Sequence, residues 1–504
     1  MNNNVGKGAL VLIVSGFVCK FFGALFRLPL TNIIGIEGIG IFQMIMSVYS
    51  LMLIFVSSGV TNSLSKLVSS ARASGQNVKI GAFFRQAFIF TISLALTIGL
   101  FFAIFSKQIA SIQGIGQGYT SYLLLILLLP LGALIGVFRG IIQGYENMTP
   151  TAVSQIIEQI IKFAFGLFFA YVLARFGSTQ GVFGAFLGIT LSEVLALLYL
   201  FIAMKKVKLK ASKYNVKKEF YSAVLPLSFG SAITPLASAI EAIIISSLLS
   251  LAGLSRETGT LLYGLQSGVV GALLHFPLII SLSIGVALLP KISFLSAKED
   301  VVSQKELIGN SFHIMWYFLI PLIFGIVSIS KELYAIIYPN LINGYVDTAY
   351  QLTILGGIAV VLSAIMQFLV SLLQAKGFFT YSMIFNIIGA VAKILMLCIL
   401  APKSSIGIFA IPISNIFLYS IVCICALIKL GSLVKVQFFE FILPILSAVV
   451  MYISVRLILS AVSGILGLLL AVFAGAIIYI VIALPLTINI MKRFLSRLKI
   501  NKIN

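Results

Sequence analysis

Long apolar runs broken by short polar stretches dominate the chain. A membrane-spanning helix needs about 20 mostly apolar residues. The pattern predicts fourteen spans, over 8–32, 38–65, 83–106, 119–143, 150–174, 181–204, 221–250, 260–290, 307–329, 347–374, 379–400, 406–429, 438–459 and 464–490. Several exceed the minimum length, which accommodates tilt or kinks. Pro29, Pro130, Pro226, Pro235, Pro277, Pro321, Pro412 and Pro485 lie inside them. Membrane helices tolerate such prolines because neighbouring groups satisfy the freed backbone. The expected fold is an all-α integral membrane protein.

Composition sharpens this reading. Of 504 residues, 60% are hydrophobic and 9% charged, against about 25% charged in soluble domains. With a mean hydropathy of +1.15, this excludes a soluble enzyme, a secreted disulfide scaffold and a disordered chain. The apolar N-terminus lacks a cleavable-signal layout and is expected to continue as the first span.

The net charge of +21 comes from 34 Lys+Arg against 13 Asp+Glu. In a soluble protein such an excess suggests nucleic acid; here it lies mostly in short loops and reports orientation, so no nucleic-acid partner is expected. Under the fourteen-span arrangement, 24 of the 34 cations fall on the side of the N-terminus, six on the other and four within helices. Positive loops stay inside, so both termini are expected in the cytoplasm of a bacterial cytoplasmic-membrane protein.

The run Lys205, Lys206, Lys208, Lys210, Lys213, Lys217 and Lys218 lies near the middle of the chain. It suggests a division into a six-helix half over 1–204, a basic cytoplasmic linker over 205–220, a second six-helix half over 221–429, and helices 13 and 14 with a basic tail over 430–504. A shift of 231 residues pairs Gln143 with Gln374, Gln155 with Asn386 and Lys162 with Lys393, and Gly59-Val60 before Lys66 resembles Gly285-Val286 before Lys291. Six intervening helices make the repeats parallel, which implies a pseudo-twofold axis along the membrane normal and a central site between the halves.

Ionisable groups at membrane depth are costly, so they normally face protein or water. The predicted spans bury Lys20, Arg27, Lys162 and Lys393, with the acids Glu158, Glu193 and Glu241. Gly16, Lys20, Gly23 and Arg27 follow steps of 4, 3 and 4, as do Thr151, Gln155, Glu158 and Lys162. Such steps put each set on one helical face. Ser231, Thr234, Ser238 and Glu241 make a third polar stripe. These faces are expected to converge on one hydrated cavity. The bland alternative is interhelical hydrogen bonding, with Glu158 and Lys162 neutralising each other at i and i+4. No acid accompanies Lys20 and Arg27 on their own helix, so an anion is the natural partner. Arginine suits bidentate phosphate recognition and lysine supplies a point charge.

Enzyme signatures are missing. The chain has no Walker-type G-x-x-x-x-G-K-[ST] loop and no H-E-x-x-H. Its only aspartates are Asp300 and Asp347, and Cys19, Cys398, Cys423 and Cys425 sit in apolar segments without a neighbouring ligand-type histidine. No metal or cofactor is expected. Uphill transport would then draw on the membrane potential or an ion gradient. His275 is expected to be a buried structural histidine.

Two motifs point to a family. Ser15-Gly16-x3-Lys20-x2-Gly23-x3-Arg27-x-Pro29-Leu30, followed by Gly35-Ile36-Glu37-Gly38-x-Gly40-x2-Gln43, resembles the opening of stage V sporulation protein B-like transporters. Arg139-Gly140-x2-Gln143-Gly144-x3-Met148-x-Pro150-Thr151-Ala152-x-Ser154-Gln155-x2-Glu158-Gln159 resembles their helix 4–5 motif. That family belongs to the multidrug/oligosaccharidyl-lipid/polysaccharide (MOP) exporter superfamily, with MurJ-like lipid II flippases. The resemblance implies a MATE-like fold of fourteen helices and a flippase that moves an undecaprenyl-diphosphate-linked saccharide, lipid II or a related envelope precursor, from inner to outer leaflet by alternating access. Helices 13 and 14 would help form a groove for the lipid tail.

On this reading Lys20 and Arg27 meet the diphosphate, followed by Lys162 and Lys393. Glu158 and Glu241 bind sugar hydroxyls, pair with the cations or couple ions. Arg139, Gln143 and Pro150 have a gating or structural role, and cell-wall synthesis enzymes are potential partners in cell shape or sporulation. The interiors of the second and eighth spans, around Met52 and Ala272, are almost uncharged, whereas proteobacterial lipid II flippases carry further arginines there. The alternative is a cation-coupled multidrug exporter of the same superfamily.

Overall fold

The structure is a computed structural model that describes residues 3–207, 212, 214–278, 292, 295, 300–339, 344–434 and 438–499, without the side chains of 3–10, 12–14, 20, 432, 438–441 and 484–499. The described chain is almost wholly helical. Thirteen stretches are long and apolar enough to cross a membrane. Lys208, Lys210 and Lys213 of the linker, the Gly285-Val286 and Lys291 repeat element, and the end of the predicted 260–290 span lie outside the described residues.

The first helix, α1 (Asn3–Leu53), takes in the first predicted span and most of the second. Between the first two predicted spans, where the sequence leaves 33–37 unassigned, two helical segments meet at a kink on a single non-helical residue, Gly35, at φ +78° and ψ 174°. A side chain would disfavour that backbone. Five residues of wider, π-type winding, Ile54–Ser58, lead into α2 (Gly59–Ala73). Next come α3 (Val78–Gln113), a one-turn helix Tyr119–Leu123, α4 (Leu125–Gly144), α5 (Thr149–Ala174) and α6 (Ser178–Met204). After the basic linker follow α7 (Lys217–Leu251) and α8 (Arg256–Gly264). The later helices are α9 (Val301–Ile337), α10 (Val346–Ala375), α11 (Phe379–Leu400), α12 (Ala410–Leu430), α13 (Phe438–Ala461) and α14 (Gly464–Lys499).

Packing divides the chain into two compact units. The first is Met1–Gly268 with Ala401–Ile408, and the second is Val269–Leu400 with Phe409–Asn504. This division follows packing; the division expected from internal repeats follows chain similarity. The two differ in residues 221–268, where α7 and α8 pack against α1, in 401–408, which join the first unit, and in 430–504, which belong to the second unit.

In the first unit, Val60, Leu64, Phe83, Val137, Ile141 and Phe220 form a buried core. Helices α5 and α6 approach closely because Gly188 faces Gly166: a Cβ on Gly188 would lie 2.3 Å from the Gly166 Cα. In the second unit the core gathers Phe312, Trp316, Phe368, Leu369 and Met451. There α13 and α14 pack on α9 and on each other. Tyr479 donates to the Tyr317 carbonyl at 2.8 Å, and Arg456 Nη1 meets Glu332 Oε1 at 2.7 Å. Ile104, Phe168, Leu395 and Phe473 are largely exposed. In a lipid solvent such apolar surface needs no cover.

Candidate functional site

The polar groups of the first unit meet where α1, α4, α5 and α6 pack together. The α4–α5 connection sets their register. It is a tight turn in which Glu146 has φ +63°, and Pro150 stands in the first turn of α5. A proline costs nothing there, because that amide has no helical acceptor.

Across this turn Arg139 Nη2 reaches Glu158 Oε2 at 3.0 Å, and Arg139 Nε donates to Ser154 Oγ at 3.0 Å. Ser154 Oγ donates to the Thr151 carbonyl at 2.7 Å. Gln143 Nε2 reaches Thr151 Oγ1 at 3.5 Å. The ion pair is mostly buried. Glu158 therefore pairs across the helical hairpin with Arg139. The alternative i, i+4 pairing with Lys162 is not what the structure contains, and the Arg139–Glu158 contact is one that sequence spacing missed.

Lys162 instead points towards α1, with Nζ 6.0 Å from the Phe26 ring centroid. The charge of Lys162 lies within electrostatic reach of Glu158, one turn earlier on α5, and of Arg27 on α1. The Arg27 and Lys162 side chains are half-buried. Among the described residues neither the Arg27 guanidinium nor the Lys162 ammonium makes a hydrogen bond or ion pair. Between these helices Gln159 Oε1 is buried without a donor and lies 4.0 Å from where a Cβ on Gly23 would be. Ser15 Oγ donates to Gln155 Oε1 at 3.2 Å and fastens α1 to α5.

The face of α1 is less isolated from acid than its own sequence suggests, because Glu158 of α5 lies within electrostatic reach of Cys19. The Lys20 side chain lies outside the described residues.

Glu241 is buried on α7, and its charge reaches Tyr263, which also senses Arg27. The two serines of the α7 stripe are satisfied within their own helix. Ser231 and Ser238 donate to the carbonyls of Leu227 and Thr234, the i−4 back-bonding common to helical serines. Lys393 belongs to the second unit and is buried on α11. Asn386, its neighbour two turns earlier, donates to the Ser382 carbonyl. His275 is exposed rather than buried. One buried group that spacing gave no reason to single out is Tyr49, whose hydroxyl donates to Glu193 Oε1.

Residues 5–296 match the family described as polysaccharide biosynthesis protein. The chain belongs to this family. The chain is 28% identical over 429 residues to stage V sporulation protein B of Bacillus subtilis (strain 168), across 80% of this chain and 79% of that one. It is 24% identical over 381 residues to the lipid II flippase MurJ of the same organism, across 67% and 66% of the two chains. Its fold resembles that of a solved lipid II flippase MurJ in an inward closed conformation, with a TM-score of 0.75 at 14% identity over 95% of this chain and all of that one. It also resembles an inward-facing MATE transporter of the MOP superfamily, with a TM-score of 0.69 at 14% identity over 82% of this chain and 95% of that one. The chain is thus a multi-pass membrane protein of this family, and its fold is like that of MurJ and the MATE transporters.

Proposed function

We propose that this protein turns an undecaprenyl-diphosphate-linked saccharide, lipid II or a related envelope precursor, from the inner to the outer leaflet of the bacterial cytoplasmic membrane by alternating access. The observation that carries this reading is the pair Arg27 and Lys162. They are two cations on adjoining helices, within reach of each other and without a hydrogen bond or ion pair to any described residue. Like charges held together at membrane depth are costly unless an anion joins them. A diphosphate supplies that anion, with Arg27 for bidentate contact and Lys162 as a point charge. By its spacing in the sequence Lys20 is a further candidate cation for the diphosphate, and Lys393 is the candidate from the second half.

In this reading Arg139, Gln143 and Pro150 brace the α4–α5 hairpin and are gating or structural elements. Glu158 serves that brace, and Glu241 faces the saccharide. The excess of loop cations on the side of the N-terminus supports a cytoplasmic position for both termini. The prenyl chain stays in lipid beside helices 13 and 14. A cationic drug would be repelled by Arg27 and Lys162, which weighs against the multidrug reading.

The test is rescue of a bacterium depleted of its lipid II flippases, scored by lipid II exposed on the outer leaflet. Rescue is expected with the wild type and not with Arg27→Ala plus Lys162→Ala. Absence of rescue, with the wild-type protein confirmed in the membrane, would reassign the substrate to another polyprenyl-linked polysaccharide. Export of cationic drugs by the wild type would overturn the flippase reading.

A further inference from the structure

Glu193 of α6 is 5% exposed and Tyr49 of α1 is 2% exposed. The Tyr49 hydroxyl donates to Glu193 Oε1, while Glu193 Oε2 is buried with no hydrogen-bond partner. An ionised carboxylate has about four acceptor positions to fill, and this one has a single donor. A buried charge so poorly served is strongly disfavoured, whereas the neutral acid is not.

The space around Oε2 limits what can neutralise it. Oε2 and the Tyr49 hydroxyl each lie 4.0 Å from where a Cβ on Gly132 of α4 would be, and Leu53 Cδ2 closes the same point at 2.6 Å. Hard metal cations take about six oxygen ligands. No group of three or more metal-ligating side chains occurs among the described residues. A proton needs neither room nor further ligands.

The ionisable groups within electrostatic reach are Tyr49 of α1, Arg139 of α4, and Glu158 and Lys162 of α5. Arg139 is committed to Glu158 and Ser154 at 3.0 Å each. Among the described residues no cation makes a hydrogen bond or ion pair with Glu193.

We propose that Glu193 is a proton-binding site of the transport cycle, loaded in this conformation, with Tyr49 as its hydrogen-bonding partner. Unloading breaks the Oε2–H bond, passes the proton to water and leaves a carboxylate, for which Arg139 and Lys162 are the cations within reach. The site is placed to communicate with the anion face. Tyr49 lies on the segment of α1 after the Gly35 kink, and Arg27 on the segment before it. A change at Glu193 therefore bears on the helix that carries Arg27. This inference rests on the transporter reading for its role in a cycle, while the protonation of Glu193 stands on its own geometry.

The test is infrared difference spectroscopy of the full-length protein in phospholipid vesicles near neutral pH, without substrate. Wild type should show the carbonyl stretch of a protonated carboxylic acid that Glu193→Gln lacks. Tyr49→Phe should shift that band by removing its hydrogen bond, which keeps the test open should Glu193→Gln misfold. The band should be unaffected when sodium replaces potassium. Spectra of wild type and Glu193→Gln without this difference would overturn the proposal, as would a band that disappears on adding sodium. Leaflet exchange, measured in the same vesicles, separates the two ideas. An intact band with no exchange counts against the flippase reading alone, and a missing band with exchange preserved counts against the proton site alone.

Discussion

Arg139 and Glu158 stand 19 positions apart and meet at 3.0 Å across the α4–α5 hairpin, with Ser154 sharing the same guanidinium. This contact uses both forks of the arginine and locks the register of two helices that also carry Gln143, Gln155 and Lys162. Removing the arginine strands a mostly buried carboxylate. Arg139→Met should therefore destabilise the protein by about 2 kcal/mol, the usual cost of leaving a buried charged group unpaired. Adding Glu158→Gln to that variant should recover part of the loss, because the stranded charge is gone. Denaturant titration of the purified protein in lipid–detergent mixtures measures both.

A second prediction concerns the contact between α5 and α6. Gly188 leaves no room for a side chain, since its Cβ would sit 2.3 Å from backbone atoms of Gly166. Backbone cannot move aside as a flexible side chain can. Gly188→Ala should cost about 1–3 kcal/mol, the range for overpacking a well-packed interior, and Gly188→Val more. Midpoints of unfolding for the three proteins, compared under one set of conditions, check the order.

These two contacts show what the sequence made legible and what it hid. The spans were readable because lipid forces every backbone polar group into helix and every lipid-facing side chain towards apolar chemistry. Gly35 lies between the first two predicted spans, so the place of the break was visible; that it is confined to a kink at one residue was not, because one positive φ at a glycine suffices. The Arg139–Glu158 motif was visible as residues. Its pairing was hidden because periodicity compares positions within one helix, whereas this contact depends on the turn at Glu146. Tyr49 gave no signal at all. A tyrosine in an apolar run reads as core, and its partner lies 144 positions away.

The third prediction tests how α13 is held against α9. Arg456 meets Glu332 at 2.7 Å, but the side chains are 38% and 30% exposed. Tyr452 of α13 also meets Tyr350 of α10, hydroxyl to hydroxyl at 3.1 Å. Partly solvated ion pairs contribute little, about 0.2–1 kcal/mol. Arg456→Gln should thus lower stability by no more than about 1 kcal/mol. Unfolding midpoints of the wild type and this variant give the comparison, and a loss several times larger would mean that the pair is shielded from solvent in the membrane.

The fourth prediction bears on the anion face directly. If Arg27 and Lys162 share one diphosphate, each contributes a charge-assisted contact of about 1.5–3 kcal/mol, which corresponds to roughly 10- to 150-fold in affinity. Arg27→Ala should therefore weaken binding of a polyprenyl diphosphate by that factor, and Lys162→Ala by a similar one. Arg27→Lys should retain the charge yet lose the bidentate geometry, leaving an intermediate affinity. The double alanine variant is the informative one. Because the two cations repel each other in the empty protein, removing either relieves the other, and the combined loss should fall short of the product of the single losses. Binding of a labelled polyprenyl diphosphate to purified protein in nanodiscs, measured for all four variants, reads this coupling. Strictly multiplicative losses would place the two residues on separate ligands and undo the shared site.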